Sequence, residues 1–306
     1  MKVGTKSYDV AMSRPRRRWR GVLEPYTWVA PALVVFFIFT LLPLIVGFWL
    51  SFVTWDGIAN LRWVGFQNYA DVFHDSIFWQ AVKHNAIFAV GTVAGKTALA
   101  LALAVLLNQT LPGRAIFRTA LFLPVVLSFV VVGLLWNWIY DYNFGLLNSL
   151  LGAVGLTSLK QQWLGSQSLA LPALIVVDIW KWFGFHMVIF LAGLQSIPSE
   201  LYEAARIDGA TPWDCFWRVT LPLLRPVTMI NVTLATLGAF NVFDLVYVMT
   251  TGGPAYATNV AMMDIYTQAF QFNRFGYAAA MSFVLLAMVS AIALVVLRTL
   301  NSERYF

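Results

Sequence analysis

EAARIDGATPWDCFWRVTLPLLRP, residues 203–226, is a polar stretch set between two long apolar runs, in a chain that is otherwise mostly apolar. A membrane protein that places a glycine-hinged, partly helical segment between two spans has built a docking surface outside the bilayer. The reading of the rest of the chain follows from what could dock there and what would cross the membrane as a result.

Composition points to lipid as the solvent. Of 306 residues, 60% are hydrophobic and 11% charged, against about 45–50% and about 25% in a soluble globular protein. Such a chain can bury a large core but lacks the polar surface to cover one in water. Cys215 is the only cysteine, so no disulfide forms within the chain, and its place in the polar stretch suits a small buried packing residue. His74, His84 and His186 show no metal-ligand spacing.

About 20 apolar residues cross a hydrocarbon core, and six segments qualify: Trp28–Phe52, Asn85–Leu107, Ala115–Tyr140, Leu169–Leu194, Val227–Met249 and Tyr277–Leu297. The expected fold is all-α, a polytopic bundle of six spans with a coupling helix between spans four and five. A basic N-terminal segment covers 1–24, the membrane domain 25–299 with its coupling segment at 199–226, and a tail 300–306. The apolar run near the N-terminus is too long for a signal-peptide core, so the first span is expected to be retained.

Lys and Arg set the orientation. Lys2, Lys6, Arg14, Arg16, Arg17, Arg18 and Arg20 precede span one. Arg114 and Arg118 follow span two, Arg206, Arg218 and Arg225 follow span four, and Arg298 and Arg304 close the chain. The opposite loops hold only Arg62, Lys83, Lys160 and Arg274. Both termini and residues 199–226 are therefore expected in the cytoplasm. The net charge of +6 belongs to this asymmetry and to anionic headgroups, not to nucleic acid. On the outer side, Phe66–His84 reads as an interfacial helix anchored by Phe78 and Trp79. Residues 141–167 form a second outer loop, and TGGPAYAT at 251–258 is a third, full of helix breakers.

Within the coupling segment, Ser199 is placed to cap a helix starting at Glu200, which runs to Ile207 and is closed by Gly209. A second start follows: Thr211 as N-cap, Pro212 in the first turn and Asp214 completing a capping box. Leu221-Pro222 is expected to break that helix. Neither helix is long enough to be stable alone in water. The small faces of Ala204 and Ala205 allow a partner close, and Glu203, Arg206 and Asp208 offer polar contacts. The bland alternative is a linker folded against its own bundle.

The pattern Glu203-Ala204-Ala205, Asp208-Gly209-Ala210, Phe216, Leu221-Pro222 and Pro226 resembles the signature of permease subunits of bacterial binding-protein-dependent ABC importers. The stretches IWKWFGFHMVIFLAGLQSIPSELYEAA, FDLVYVMTTGGP, YTQAF and VGFQNYADVF resemble the sugar-importer branch, maltose and glycerol-phosphate permeases included. The likeness runs from about residue 24 onward. It implies that Glu203, Ala204, Ala205, Asp208 and Gly209 couple to a cleft on a cytoplasmic ATPase. It also implies four partners: a second permease, two ATPase copies and an extracytoplasmic solute-binding protein. The chain has no GxxxxGK[ST] phosphate loop, so it is expected to bind no cofactor and to leave ATP-Mg to the ATPase. No nucleophile–base or metal-ligand set lies in the spans, so an intramembrane enzyme is not expected; the resemblance implies a transporter subunit of the bacterial inner membrane.

Charges inside spans usually face a bundle interior or a wet cavity. Asp178 lies about 14 Å into span four, and Lys181, three residues on, is placed to pair with it on one helix face, either as a neutralised pair that only packs the bundle or as a border of the solute pathway. Trp182 and Phe185 supply aromatic faces of the kind that stack on sugar rings. The resemblance implies sugar contacts at Asp178, Lys181, Trp182 and Phe185. The matching span-five positions, Ala235, Gly238, Ala239 and Val242, are small and apolar, with Asn241 and Asp244 beside them as candidate polar substitutes. Lys96 reads as a pathway residue or as the partner of an acid in another span, and His186 as a satisfied interior histidine. The solute is expected to be a sugar. A glycerol-phosphate importer of the same branch is the first alternative, and a stand-alone channel or secondary transporter the second.

Overall fold

The computed structural model describes residues 19–58, 61–109 and 112–301. Most of the basic segment 1–24, including the Arg14–Arg18 run, and the tail residues 302–306 lie outside them. The fold is almost wholly helical. A small antiparallel hairpin, β1 (Val53–Thr54) with β2 (Arg62–Trp63), is an addition to the expected all-α architecture.

The chain divides into two compact units, residues 1–49 and 50–306. In the first, α1 (Trp19–Phe36) passes through a π-helical turn, Phe37–Leu41, into α2 (Leu42–Leu50). The turn immediately precedes Pro43, whose ring crowds the carbonyl four residues back. Trp28, Phe39 and Ile45 are among many exposed apolar side chains on this rod, a surface suited to lipid.

In the second unit, α3 (Gln67–His74) is followed by α4 (Ser76–Leu107), whose 32 residues span about 48 Å. Asp75 caps α4 by accepting from the amides of Ile77 at 2.9 Å and Phe78 at 3.3 Å. The expected interfacial helix over 66–84 is thus two pieces: α3 alone, and the opening turns of span two. Phe78 is fully buried, so it packs the bundle and anchors nothing; Trp79 remains partly exposed.

The third span is broken. α5 (Arg114–Val126) and α6 (Phe129–Ile139) meet at 99°. Pro124 removes a helical donor, Leu127 turns extended, and the Ser128 hydroxyl caps α6 by accepting from Val131 N. After α7 (Leu146–Ala153), the unbroken α8 (Ala170–Gln195) forms span four. It runs parallel to α4, with Gly91 against Ile175 and Gly95 against Ile179, and a Cβ at either glycine would crowd its isoleucine.

The coupling segment comprises α9 (Ser199–Ile207), α10 (Pro212–Cys215), a π-helical turn over Phe216–Thr220 and α11 (Leu221–Leu223). A 65° bend at Leu224 leads into α12 (Arg225–Phe240). The break falls there and not at Leu221-Pro222, because the π-helical turn over Phe216–Thr220 directly before that pair accommodates the proline ring within a continuous helical run. Span five stops at Asn241 and resumes as α13 (Asp244–Met249). α14 (Ala261–Tyr266) and a π turn then lead to α15 (Phe275–Asn301), which carries span six. Among the described residues, four helices are long and apolar enough to cross a membrane, and six spans result when each bent pair counts as one. The main core joins α4, α8, α12 and α13 through Phe88, Leu174, Val177, Phe240 and Leu245.

Candidate functional site

A cavity of about 330 Å³ opens between α4, α6, α8, α12 and α13. Of the sequence candidates, Asp178, Trp182, Phe185, Asn241 and Asp244 line it, together with Lys96, Phe129, His186 and Phe243. The Asn241 amide donates to Leu237 O at 3.0 Å, at the end of α12, and both Asn241 and Asp244 are exposed. Trp182 and Phe185 meet edge to face, with ring centroids 5.8 Å apart.

The expected Asp178–Lys181 pair is not formed as a contact. Lys96 Nζ of α4 lies 2.5 Å from Asp178 Oδ2, and the two side chains are only 3% and 6% exposed. The local rule that residues three apart face each other is overridden because α4 brings a cation directly against Asp178. Lys181 turns the other way. Its ammonium donates to Leu127 O at 2.6 Å, Val125 O at 3.3 Å and Pro124 O at 3.5 Å, and it is absent from the cavity lining. Lys96 therefore has the acidic partner in another span that its burial required, while also lining the cavity. His186 Nδ1 lies 2.7 Å from Asn231 Oδ1, which satisfies that interior histidine and ties α8 to α12.

The coupling segment stands at the end of the bundle reached by the C-termini of α4 and α8. α9 starts one residue earlier than expected, with Pro198 as N-cap and no side-chain bond from Ser199. Its exit follows the expectation: Gly209 adopts φ +82°, Gly209 N donates to Arg206 O at 3.0 Å and Ala210 N to Ala205 O at 2.9 Å. That is the two-bond closure which a left-handed residue permits. The capping box is complete, with Asp214 N donating to Thr211 Oγ1 at 3.2 Å and Thr211 N to Asp214 Oδ2 at 3.1 Å. The Thr211 hydroxyl, which also donates to Asp214 Oδ2 at 2.5 Å, and after it the Thr211 amide hold the Asp214 carboxyl below the usual range. Tyr202 OH meets Thr220 Oγ1 at 3.0 Å and braces α9 against the following turn. Glu203, Ala204, Asp208 and Gly209 are exposed and Ala205 half-buried. Ile207, Trp213 and Trp217 are exposed around them, while Cys215 is buried as expected.

At the opposite end, a vestibule of about 800 Å³ is lined by Asp56, Arg62, Asp71, Asp75, Arg274 and Tyr277 among others. Tyr277 OH donates to Asp75 Oδ2 at 2.7 Å. Nearby Asp264 on α14 is buried, and its Oδ2 has no hydrogen-bond donor among the described residues. Burial, with the Asp75 charge adding to it, pushes the Asp264 carboxyl up to about 6.

Comparison with known proteins agrees with this architecture. Residues 96–301 match the family described as binding-protein-dependent transport system inner membrane component. The probable ABC transporter permease protein YurN of Bacillus subtilis (strain 168) is 37% identical over 273 residues, covering 88% of this chain and 93% of its own. The trehalose/maltose transport system permease protein MalF of Thermococcus litoralis is 34% identical over 284 residues, 92% and 95% of the two chains. A chain of a bacterial alginate ABC transporter, solved in complex with an alginate pentasaccharide-bound periplasmic protein, superposes with a TM-score of 0.80 at 25% identity. The match covers 92% of this chain and 96% of that one. The protein described here thus belongs to the inner-membrane components of binding-protein-dependent transport systems.

Proposed function

We propose that the chain forms half of the translocation pathway of an ATP-driven importer for an uncharged sugar. The observation that carries this reading is the cavity at mid-span. Trp182 and Phe185 supply aromatic faces, Asn241 an amide, and the buried charges of Lys96 and Asp178 cancel. With Lys181 turned away, the lining holds Asp178 and Asp244 against Lys96 alone. That balance disfavours a phosphate dianion, which calls for an excess of cations, and so counts against glycerol phosphate. The relative whose name specifies trehalose/maltose supports a neutral saccharide, and the likeness to an alginate transporter supports a saccharide but not its neutrality, since alginate is acidic.

A single bundle supplies one wall of a pathway, so a second permease completes it. Glu203, Ala204, Ala205, Asp208 and Gly209 seat in a cleft on each chain's ATPase, and an extracytoplasmic binding protein delivers the solute. Both termini and the coupling segment then face the cytoplasm, in line with the Lys and Arg asymmetry. ATP-Mg is held by the ATPase.

Reconstitution with the partner permease, ATPase and binding protein tests the reading. Labelled neutral sugar should accumulate only with ATP, and Glu203→Lys or Gly209→Pro should leave the protein inserted while uncoupling hydrolysis from uptake. Uptake by vesicles that lack the ATPase would replace the reading with a channel or secondary transporter, and preferential uptake of glycerol phosphate would replace the sugar.

A further inference from the structure

Lys181 is the one intramembrane charge of span four that the cavity does not use, yet its ammonium is fully engaged. Its three acceptors, the carbonyls of Pro124, Val125 and Leu127, lie at and just beyond the C-terminal end of α5. The last carbonyls of a helix have no intrahelical donor and carry the negative end of the helix dipole. Pro124 O also accepts from Leu127 N at 3.3 Å, so it is Val125 O and Leu127 O that rely most on the ammonium, and lipid offers no donor to replace it. A compact ammonium with three rotatable donors suits three converging carbonyls better than the planar fork of arginine does.

The same nitrogen lies 4.7 Å from the centroid of Phe129 and 5.1 Å from that of Trp182, within the range of cation–π attraction. Those rings stand 6.2 Å apart, and both line the cavity. Phe129 is also the first residue of α6, so the angle of the break and the place of its ring are set together.

We propose that Lys181 is a positioning residue: it pins the bent third span and thereby fixes the Phe129–Trp182 wall against which a sugar ring lies. The inference about the wall rests on the sugar-pathway reading; the pinning of the bend does not. Asp178 has Lys96 as its direct ion-pair partner, so Lys181 acts on that carboxylate only through space while its hydrogen bonds go to the α5 carbonyls.

Two measurements on the assembled transporter in proteoliposomes test it. Lys181→Met should raise the half-saturating sugar concentration about tenfold, with the maximal rate changed less than about threefold, and Lys181→Arg should fall between. Phe129→Ala should weaken uptake in the same sense, and combining it with Lys181→Met should add little, as expected for residues acting through one wall. The second measurement needs no transport. In a chain carrying Cys215→Ala, a cysteine replaces Gly238, whose added side chain meets open space beside the cavity. Its labelling by a small maleimide should speed up about threefold or more when Lys181→Met loosens the wall. Normal insertion with an unchanged half-saturating concentration and unchanged labelling would overturn the proposal. If Lys181→Met fails to insert, Lys181→Arg and Phe129→Ala carry the same comparison. If the wild-type complex moves no sugar, the function fails while the labelling still decides the pin.

Discussion

Tyr202 OH and Thr220 Oγ1 meet at 3.0 Å across the coupling segment. This is a side-chain link between α9 and the turn that climbs into α12. A docked α9 needs such a brace to pass a push to span five, because neither short helix is stable by itself.

Tyr202→Phe removes only the hydroxyl. The loss of one partly buried hydrogen bond, about 1 kcal/mol, should leave insertion and ATPase binding intact. Counting ATP hydrolysed per sugar imported should show that ratio rising about two- to fivefold. An unchanged ratio would mean that the stroke travels by another route.

Asp178→Asn leaves the Lys96 ammonium buried without a counter-charge. Removing one member of a buried pair costs about 3–5 kcal/mol, whereas replacing both by apolar residues of similar size is often neutral. Thermal unfolding of the detergent-solubilised protein should therefore show Asp178→Asn well below wild type and the Lys96→Met, Asp178→Leu double variant near it. The double variant should fold yet import poorly, having lost the polar part of the cavity. Equal melting of single and double variants would dissolve the pairing argument.

Asp264 makes stability pH-dependent in a set direction. Its folded pKa, about 6, lies above the ordinary 3.8, so the folded state holds this proton more tightly than the unfolded chain. The contribution is complete below about pH 4 and is lost as pH rises through about 6, at most about 3 kcal/mol. Melting curves between pH 5 and pH 8 should fall with rising pH in the wild type and flatten in Asp264→Asn. A slope that survives the substitution would assign the effect elsewhere.

Much of this architecture is legible from local grammar. The apolar runs place all six spans, and Thr211, Pro212, Asp214 and Gly209 dictate their own capping and closure, because those rules depend only on neighbours in sequence. The bends are written less plainly. Pro124 was the available signal for the break in span three, yet the bend itself is completed by Leu127, Ser128 and a lysine 54 residues onward. The stop at Asn241 carries no proline, and its one nearby glycine, Gly238, lies inside α12 without breaking it. The pairing of Asp178 was out of reach for a different reason. Its partner, Lys96, is brought to it by the register in which α4 packs on α8, which a spacing rule within one helix cannot know. Five of the six pathway candidates still line one cavity: Asp178, Trp182 and Phe185 recur at three- and four-residue spacing on one face of α8, and the break at Asn241–Phe243 brings Asn241 and Asp244 to the same opening.

The seam of Gly91 and Gly95 against Ile175 and Ile179 has a mechanical corollary. With no slack between backbone and side chain, neither helix can ratchet past the other without tearing that fit apart. That fit predicts that α4 and α8 move together as a single plank, with any bending left to the segments already jointed at Leu127–Ser128, Leu224 and Asn241–Phe243.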